Sequence, residues 1–205
     1  MIKDFEKTIS VEKIESILKS KGYDFFSKGD YNLNIIGFRN PNVVANKFDD
    51  TLGVFYKVNR EWVVKSYPIT TDAGTYWLQN PMDIRGTAIL VPNQYKGVYA
   101  IRKHLGKYDA LCQTNGKVET YRDNDKDTIL EMDAKTITKG MYGINIHRSN
   151  PYTESAEIGK WSAGCQVFQK VKDFNEFMLI CNKSKDLYGN RFTYTLILES
   201  EVLKK

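Results

Sequence analysis

A β-rich α+β fold follows from three features of this sequence. Short runs of β-branched and aromatic residues recur between turn signals from residue 33 to residue 121. A C-terminal run alternates apolar and polar residues with the period of a half-buried strand. Helical spacing is confined to a few stretches, which places two or three helices at the periphery of a mostly β body.

The first element is helical. In ISVEKIESILKSK (9–21), Val11, Ile14, Ile17 and Leu18 share one face, Ser10 supplies an N-cap and Gly22 a C-terminal stop. After Gly29, Asp30 and Asn32, LNIIGF (33–38) reads as a strand. Residues 1–50 are therefore taken as a helix-and-strand extension packed on a main body of residues 51–205. GVFYKV (53–58) and EWVVKSYPI (61–69) flank Asn59-Arg60 as a hairpin, on a weaker turn signal than Asn-Gly. TAILV (87–91), GVYAIRK (97–103), DALCQ (109–113) and KVETY (117–121) follow as short strands, the last two joined by an Asn115-Gly116 turn.

GMYGINIH (140–147) puts Tyr142, Ile144 and Ile146 on one face and Met141, Gly143, Asn145 and His147 on the other. DFNEFMLICNKSK (173–185) opens with Asp173 as N-cap and Glu176 three residues on, a capping box. It carries Phe174, Phe177, Met178 and Cys181 on one helical face. RFTYTLILE (191–199) supplies the alternating last strand.

Composition narrows the function classes. A hydrophobic fraction of 41% and an aromatic fraction of 13% belong to a folded chain. The net charge of +5 is spread along the sequence rather than gathered into a basic stripe, which argues against a nucleic-acid partner. No run of 18 apolar residues is present and MIKDFEKTIS lacks the core of a signal peptide, so a soluble protein without an export signal or membrane partner is expected. The three cysteines, Cys112, Cys165 and Cys181, have no zinc-like spacing, and no disulfide framework follows. Cys112 and Cys181 lie within apolar patterns and read as core thiols.

Cys165 is different. WSAGCQVF (161–168) sets small residues before the thiol, where a backbone can approach a substrate and present N–H groups to an oxyanion. His147, off the apolar face at a strand end, is a base that could turn this thiol into a nucleophile. The polar loop RSNPYTESAEIGKW (148–161) joins the two. A Cys and a His 18 residues apart also fit a core thiol and a partly exposed histidine, and spacing alone does not separate the readings.

The stretch IHRSNPYTESAEIGKWSAGCQVF resembles the active-site signature of the L,D-transpeptidase (YkuD-type) catalytic domain. That signature is His-Gly, 13 to 15 residues, then Ser/Thr-His-Gly-Cys; here His147-Arg148 precedes 13 residues and Ser162-Ala163-Gly164-Cys165. VKSYPITTDAGTYWL (64–78) and GTAILVPNQYKGVYAI (86–101) are similar to the family's upstream strands, so the likeness spans roughly residues 50–200 and is densest at 144–168. The resemblance implies sandwich-like mixed sheets and a cysteine that attacks a peptide carbonyl of the peptidoglycan stem. The acyl group then passes to an amine or to water. It implies Cys165 as nucleophile, His147 as base, the N–H groups of Gly164 and Cys165 as the oxyanion cradle, and Ser162 as a brace. The partner would be peptidoglycan peptides; the missing export signal points to action at the cell wall after delivery, for example as a phage-encoded or lysis-linked enzyme.

Two positions depart from the signature: Arg148 stands for the glycine and Ala163 for the second histidine. Arg148 reads either as a carboxylate ligand of the substrate or as a solvated loop residue. Ala163 encourages an alternative, a non-catalytic wall-binding or virion module that keeps the fold. Trp77, Tyr76 and Trp161 read as the rim of a substrate groove or as core. No cofactor is expected, although Asp123, Asp125 and Asp127 in DNDKDTILEMD (123–133) have the spacing of half a calcium loop. Thr128 and Ala134 stand where that loop needs Gly and Glu, so a solvated acidic turn is the preferred reading.

Overall fold

The structure is a computed structural model and describes residues 2–203. In chain order its strands are β1 (Asn34–Arg39), β2 (Asp50–Val58), β3 (Glu61–Thr70), β4 (Thr87–Leu90), β5 (Gln94–His104) and β6 (Tyr108–Gln113). They continue with β7 (Val118–Asp123), β8 (Thr138–Gly140), β9 (Ile146–Arg148), β10 (Gln166–Phe168) and β11 (Phe192–Leu198). The helices are α1 (Phe5–Thr8), α2 (Val11–Ser20), α3 (Thr75–Gln79), α4 (Val171–Tyr188) and α5 (Glu199–Leu203).

The expected β-rich α+β character holds, but the sandwich implied by the family resemblance does not describe the sheets. Strands run β1-β11-β5-β6-β9-β10-β3-β2 and return to β1 as a closed barrel, beside a separate sheet ordered β4-β7-β8. Closure comes from β1, parallel to β11 and antiparallel to β2, with Ile36 opposite both Thr195 and Gly53. A strand paired on both sides leaves no open edge. The N-terminal segment thus contributes a stave of the barrel as well as helices on its surface.

Local sequence explains most elements. Ser10 Oγ accepts from the Lys13 N–H at 3.2 Å and starts α2, whose Val11, Ile14 and Leu18 are buried with Ile36, Phe38 and Phe55. The β2/β3 hairpin turns through Asn59 and Arg60, both at positive φ (52° and 72°), the geometry that matches strand twist. The Asp30 carboxylate secures it by accepting from the N–H groups of Asn59 (2.8 Å) and Arg60 (3.2 Å).

Three expectations shift. The helix expected from Asp173 begins at Val171 with Lys170 as N-cap, and Asp173 falls in its first turn, where its charge still complements the helix dipole. The expected strand 140–147 is interrupted between Gly140 and Ile146, with Gly143 at φ +70°. The Asn115-Gly116 turn joins strands of different sheets, because β6 stays in the barrel while β7 leaves for the smaller sheet.

The barrel interior and α4 share one core, in which Leu111, Ile146 and Phe168 meet Phe174, Phe177 and Cys181. Cys112 and Cys181 are buried free thiols. Among the described residues no helix is long and apolar enough to cross a membrane.

Candidate active site

β9 and β10 are parallel neighbours, with Gln166 opposite Ile146 and Val167 opposite His147. Parallel strands need a long crossover, and the loop 149–165 supplies it. Ile146 and Phe168 enter the barrel core, and Gln166 Oε1 accepts from the buried Tyr194 hydroxyl at 2.8 Å. Strand alternation therefore turns Cys165, Val167, Asn145 and His147 to the opposite face. The structure thus brings Cys165 and His147 to one face of two adjacent strands, offset by two residues.

They are not hydrogen-bonded to each other. Cys165 Sγ accepts from the Asn145 N–H and lies against the Gly143 carbonyl, both at 3.4 Å, and is half-buried beside Ile158 and Val167. His147 is 4% exposed, and its Nδ1 lies 2.8 Å from the Arg148 carbonyl. That partner can only accept, so Nδ1 carries the proton and Nε2 keeps a lone pair.

The His104 ring stacks on His147 with centroids 4.1 Å apart and planes 18° from parallel. Asn145 fixes this second ring. Its Oδ1 accepts from the Gln113 N–H (2.9 Å), which turns Nδ2 toward His104 Nδ1 at 3.2 Å. Burial first, then the His104 charge, push His147 down to about 3. Burial raises the Cys165 thiol to about 11, partly offset by the Asn145 N–H. At neutral pH the resting pair is therefore an uncharged thiol beside an uncharged imidazole.

The turn before Cys165 is braced on three sides. Ser162 Oγ donates to the Cys165 carbonyl at 2.8 Å and accepts the Gly164 N–H at 3.1 Å. The Gly164 N–H is thereby removed from the expected oxyanion cradle, while the Cys165 N–H is not drawn into the Ser162 turn. Gly164 has φ +115°, and a Cβ there would meet the Ala88 carbonyl oxygen at 2.2 Å. The Ser162 carbonyl accepts from the Gly74 N–H at 2.9 Å, tying the turn to the segment after β3.

That segment rests on a buried charge network. Asp50 accepts from the Asn40 N–H (2.7 Å), the Thr71 N–H (2.6 Å) and the Thr71 hydroxyl (2.8 Å). Arg39 reaches Asp72 (3.1 Å) and donates to the carbonyls of Thr71 (3.0 Å) and Leu90 (2.8 Å). Burial, then the nearby Asp72 charge, lift Asp50 to about 8.

The remaining expected residues divide. Ala163 and Trp77 line a cavity of about 280 Å³ beside the cysteine turn, and the Trp77 indole N–H donates to the Lys160 carbonyl at 3.1 Å. Tyr76 packs edge-on against Trp77 and beneath Lys160, and Trp161 is exposed; neither lines that cavity. Arg148 lies 4.1 Å over the Tyr108 ring in an open groove bordered by Asp109 and Phe174.

Asp123, Asp125 and Asp127 accept backbone N–H groups of Glu131 (2.9 Å), Asp127 (3.1 Å) and Ile129 (2.6 Å), so each carboxylate folds its own turn. Among the described residues no three metal-ligating side chains converge. Sequence reasoning missed His104, Arg122 and the role of Asn145. Asn145 did carry a signal, since it alternates onto the His147 face; His104 and Arg122 arrive from distant strands. In comparisons with known proteins, no family model, curated protein or solved structure matches the chain.

Proposed function

We propose that the protein is a cysteine acyl-transfer enzyme of L,D-transpeptidase type that acts on peptidoglycan stem peptides at the cell wall. The observation that supports it most is the parallel β9/β10 pair, with Cys165 and His147 on one face and the imidazole held by Nδ1 so that Nε2 is available.

In this mechanism Cys165 leaves its contacts with Gly143 and Asn145 and gives its proton to His147 Nε2 as sulfur bonds to the substrate carbonyl carbon. Contacts of this kind are often loose before substrate arrives. The Cys165 N–H receives the oxyanion. Collapse breaks the carbon–nitrogen bond, and the imidazolium passes the proton to the leaving amine. An amine or water, deprotonated by His147, then attacks the thioester and regenerates the thiol. Because the pair starts neutral, proton transfer accompanies attack rather than preceding it. His104 stands behind the base as a second imidazole, from β5 rather than from the position held by Ala163.

The bonding of the thiol to Gly143 and Asn145 instead of His147 supports a second reading, a non-catalytic module with the same fold. Mass spectrometry of products from purified muropeptides separates the two. The enzymatic reading expects an acyl adduct on Cys165 and a cross-linked dimer or a trimmed monomer, all lost in Cys165→Ala. Alkylation of Cys165 no faster than that of Cys112 or Cys181, and unchanged by His147→Ala, would leave the non-catalytic reading standing.

A further inference from the structure

The cavity beside the cysteine turn holds a cation with an unused donor. Arg122, on β7, has a side chain 5% exposed. Its Nε donates to Thr138 Oγ1 at 3.0 Å and its Nη1 to the Gly86 carbonyl at 3.2 Å. Its guanidinium lies 4.3 Å from the Tyr142 ring centroid, and Nη2 has no hydrogen-bond partner. Asp83 pairs with it only at long range and leaves Nη2 without an acceptor. Asp83 Oδ2 is 3.8 Å from Nη1, and both Asp83 oxygens are held by the Arg85 guanidinium, at 2.9 and 2.5 Å.

A buried guanidinium normally meets an acceptor at every N–H, and one that does not is expensive to keep. Here it borders a cavity lined also by Trp77, Asp83, Ala88, Tyr142, Ile144 and Ala163. Ala163 is two residues from the nucleophilic position, and Gly164 rests against Ala88. A planar fork of donors in a mostly apolar cavity, whose one carboxylate is already bound by Arg85, suits a carboxylate next to a small side chain better than it suits a heavily hydrated polyanion.

We propose that this cavity is a carboxylate-binding subsite in which Arg122 holds a free carboxylate of the peptide whose carbonyl meets Cys165, an assignment that rests on the acyl-transfer reading for the ligand's identity but not for the existence of the site. The carboxylate reaches Nη2 by displacing the half-buried ring of Tyr142, whose backbone N–H stays bonded to Gln113 Oε1 in the irregular segment 141–145. Arg148, stacked on Tyr108 in the separate open groove, does not take this part.

The test uses N-acetyl-D-alanine and its amide with the full chain. The Arg122 Nε–H resonance is followed by NMR, and iodoacetamide alkylation of Cys165 is timed. The acid is expected to shift that resonance and slow alkylation at least threefold, and the amide to do neither. Arg148→Gln keeps the protection; Arg122→Gln loses it, and Arg122→Lys weakens it about tenfold. Should Arg122→Gln fail to fold, the wild-type resonance and Arg122→Lys still decide. Equal effects of acid and amide, or protection that survives loss of Arg122, overturn the site. A Cys165 that is inert to His147→Ala while the acid still binds at Arg122 ends the catalytic reading and leaves the site standing. A His147-dependent Cys165 that the acid does not protect does the reverse.

Discussion

Replacing Gly164 by alanine tests the turn on which the candidate site depends. The backbone there has φ +115°, and the added Cβ would sit 2.2 Å from the Ala88 carbonyl oxygen. Strained backbone of this kind costs about 1–3 kcal/mol, and forcing a methyl into packed backbone costs about as much again. The sum, about 2–6 kcal/mol, lowers the melting temperature of a chain this size by roughly 5–20 °C. Gly143→Ala is the control: it also has positive φ (+70°), but a Cβ there has nothing within 4 Å, so only about 1 kcal/mol is lost. Thermal melts read the stability, and the ratio of iodoacetamide alkylation at Cys165 to that at Cys112 reads the site. Gly164→Ala should melt well below Gly143→Ala and lose the distinct reactivity of Cys165. Equal melting temperatures would refute the close approach of the turn to β4.

Two pH dependences follow from the pair Cys165 and His147. With the Cys165 thiol raised to about 11, its alkylation should accelerate about tenfold per pH unit from 7 to 10, and a plateau near pH 8 would contradict the burial. His147 lies at about 3 against the usual 6.5, so the unfolded chain takes up this proton first. The stability it contributes is whole above pH 6.5 and lost as the pH falls from 6.5 toward 3, by up to about 1.4 kcal/mol per unit. Urea unfolding of wild type and His147→Gln should show a stability gap that narrows from pH 7 to pH 4.5; a constant gap would mean an ordinary histidine.

Legibility in the sequence followed the range of the interactions. The Ser10 cap, the β2/β3 hairpin and the apolar face of α4 depend on neighbours within a few residues, and each was readable there. Even so, Asn59-Arg60 turns as it does because Asp30, far off in sequence, holds both N–H groups. Asp173-x-x-Glu176 matched a capping box, yet the helix runs back to Val171 and the cap falls on Lys170. Barrel closure was not readable, since it depends on β1 meeting β11 from the far end of the chain. The site divides in the same way. Alternation along 140–147 set His147 off the apolar face, whereas the pairing that puts Cys165 beside it, and the arrival of His104 and Arg122 on β5 and β7, depend on a placement that only the sheets decide.

Barrel closure and the cysteine turn are mechanically linked. Arg39 ends β1 and Asp50 begins β2, so the strands that close the barrel also carry the guanidinium and the carboxyl group that hold Thr71. Thr71 leads to Gly74, whose N–H binds the Ser162 carbonyl, and Ser162 in turn holds both Gly164 and Cys165. Buried ion pairs add little net stability over apolar packing, but removing one partner strands the others at about 3–5 kcal/mol. A network with that asymmetry fixes geometry more than it adds stability, and here the geometry it fixes is the approach of residues 71–74 to the cysteine turn. Residues 1–50 therefore bear on the thiol's position through covalent and hydrogen-bonded continuity, even though none of them supplies a group to the proposed chemistry.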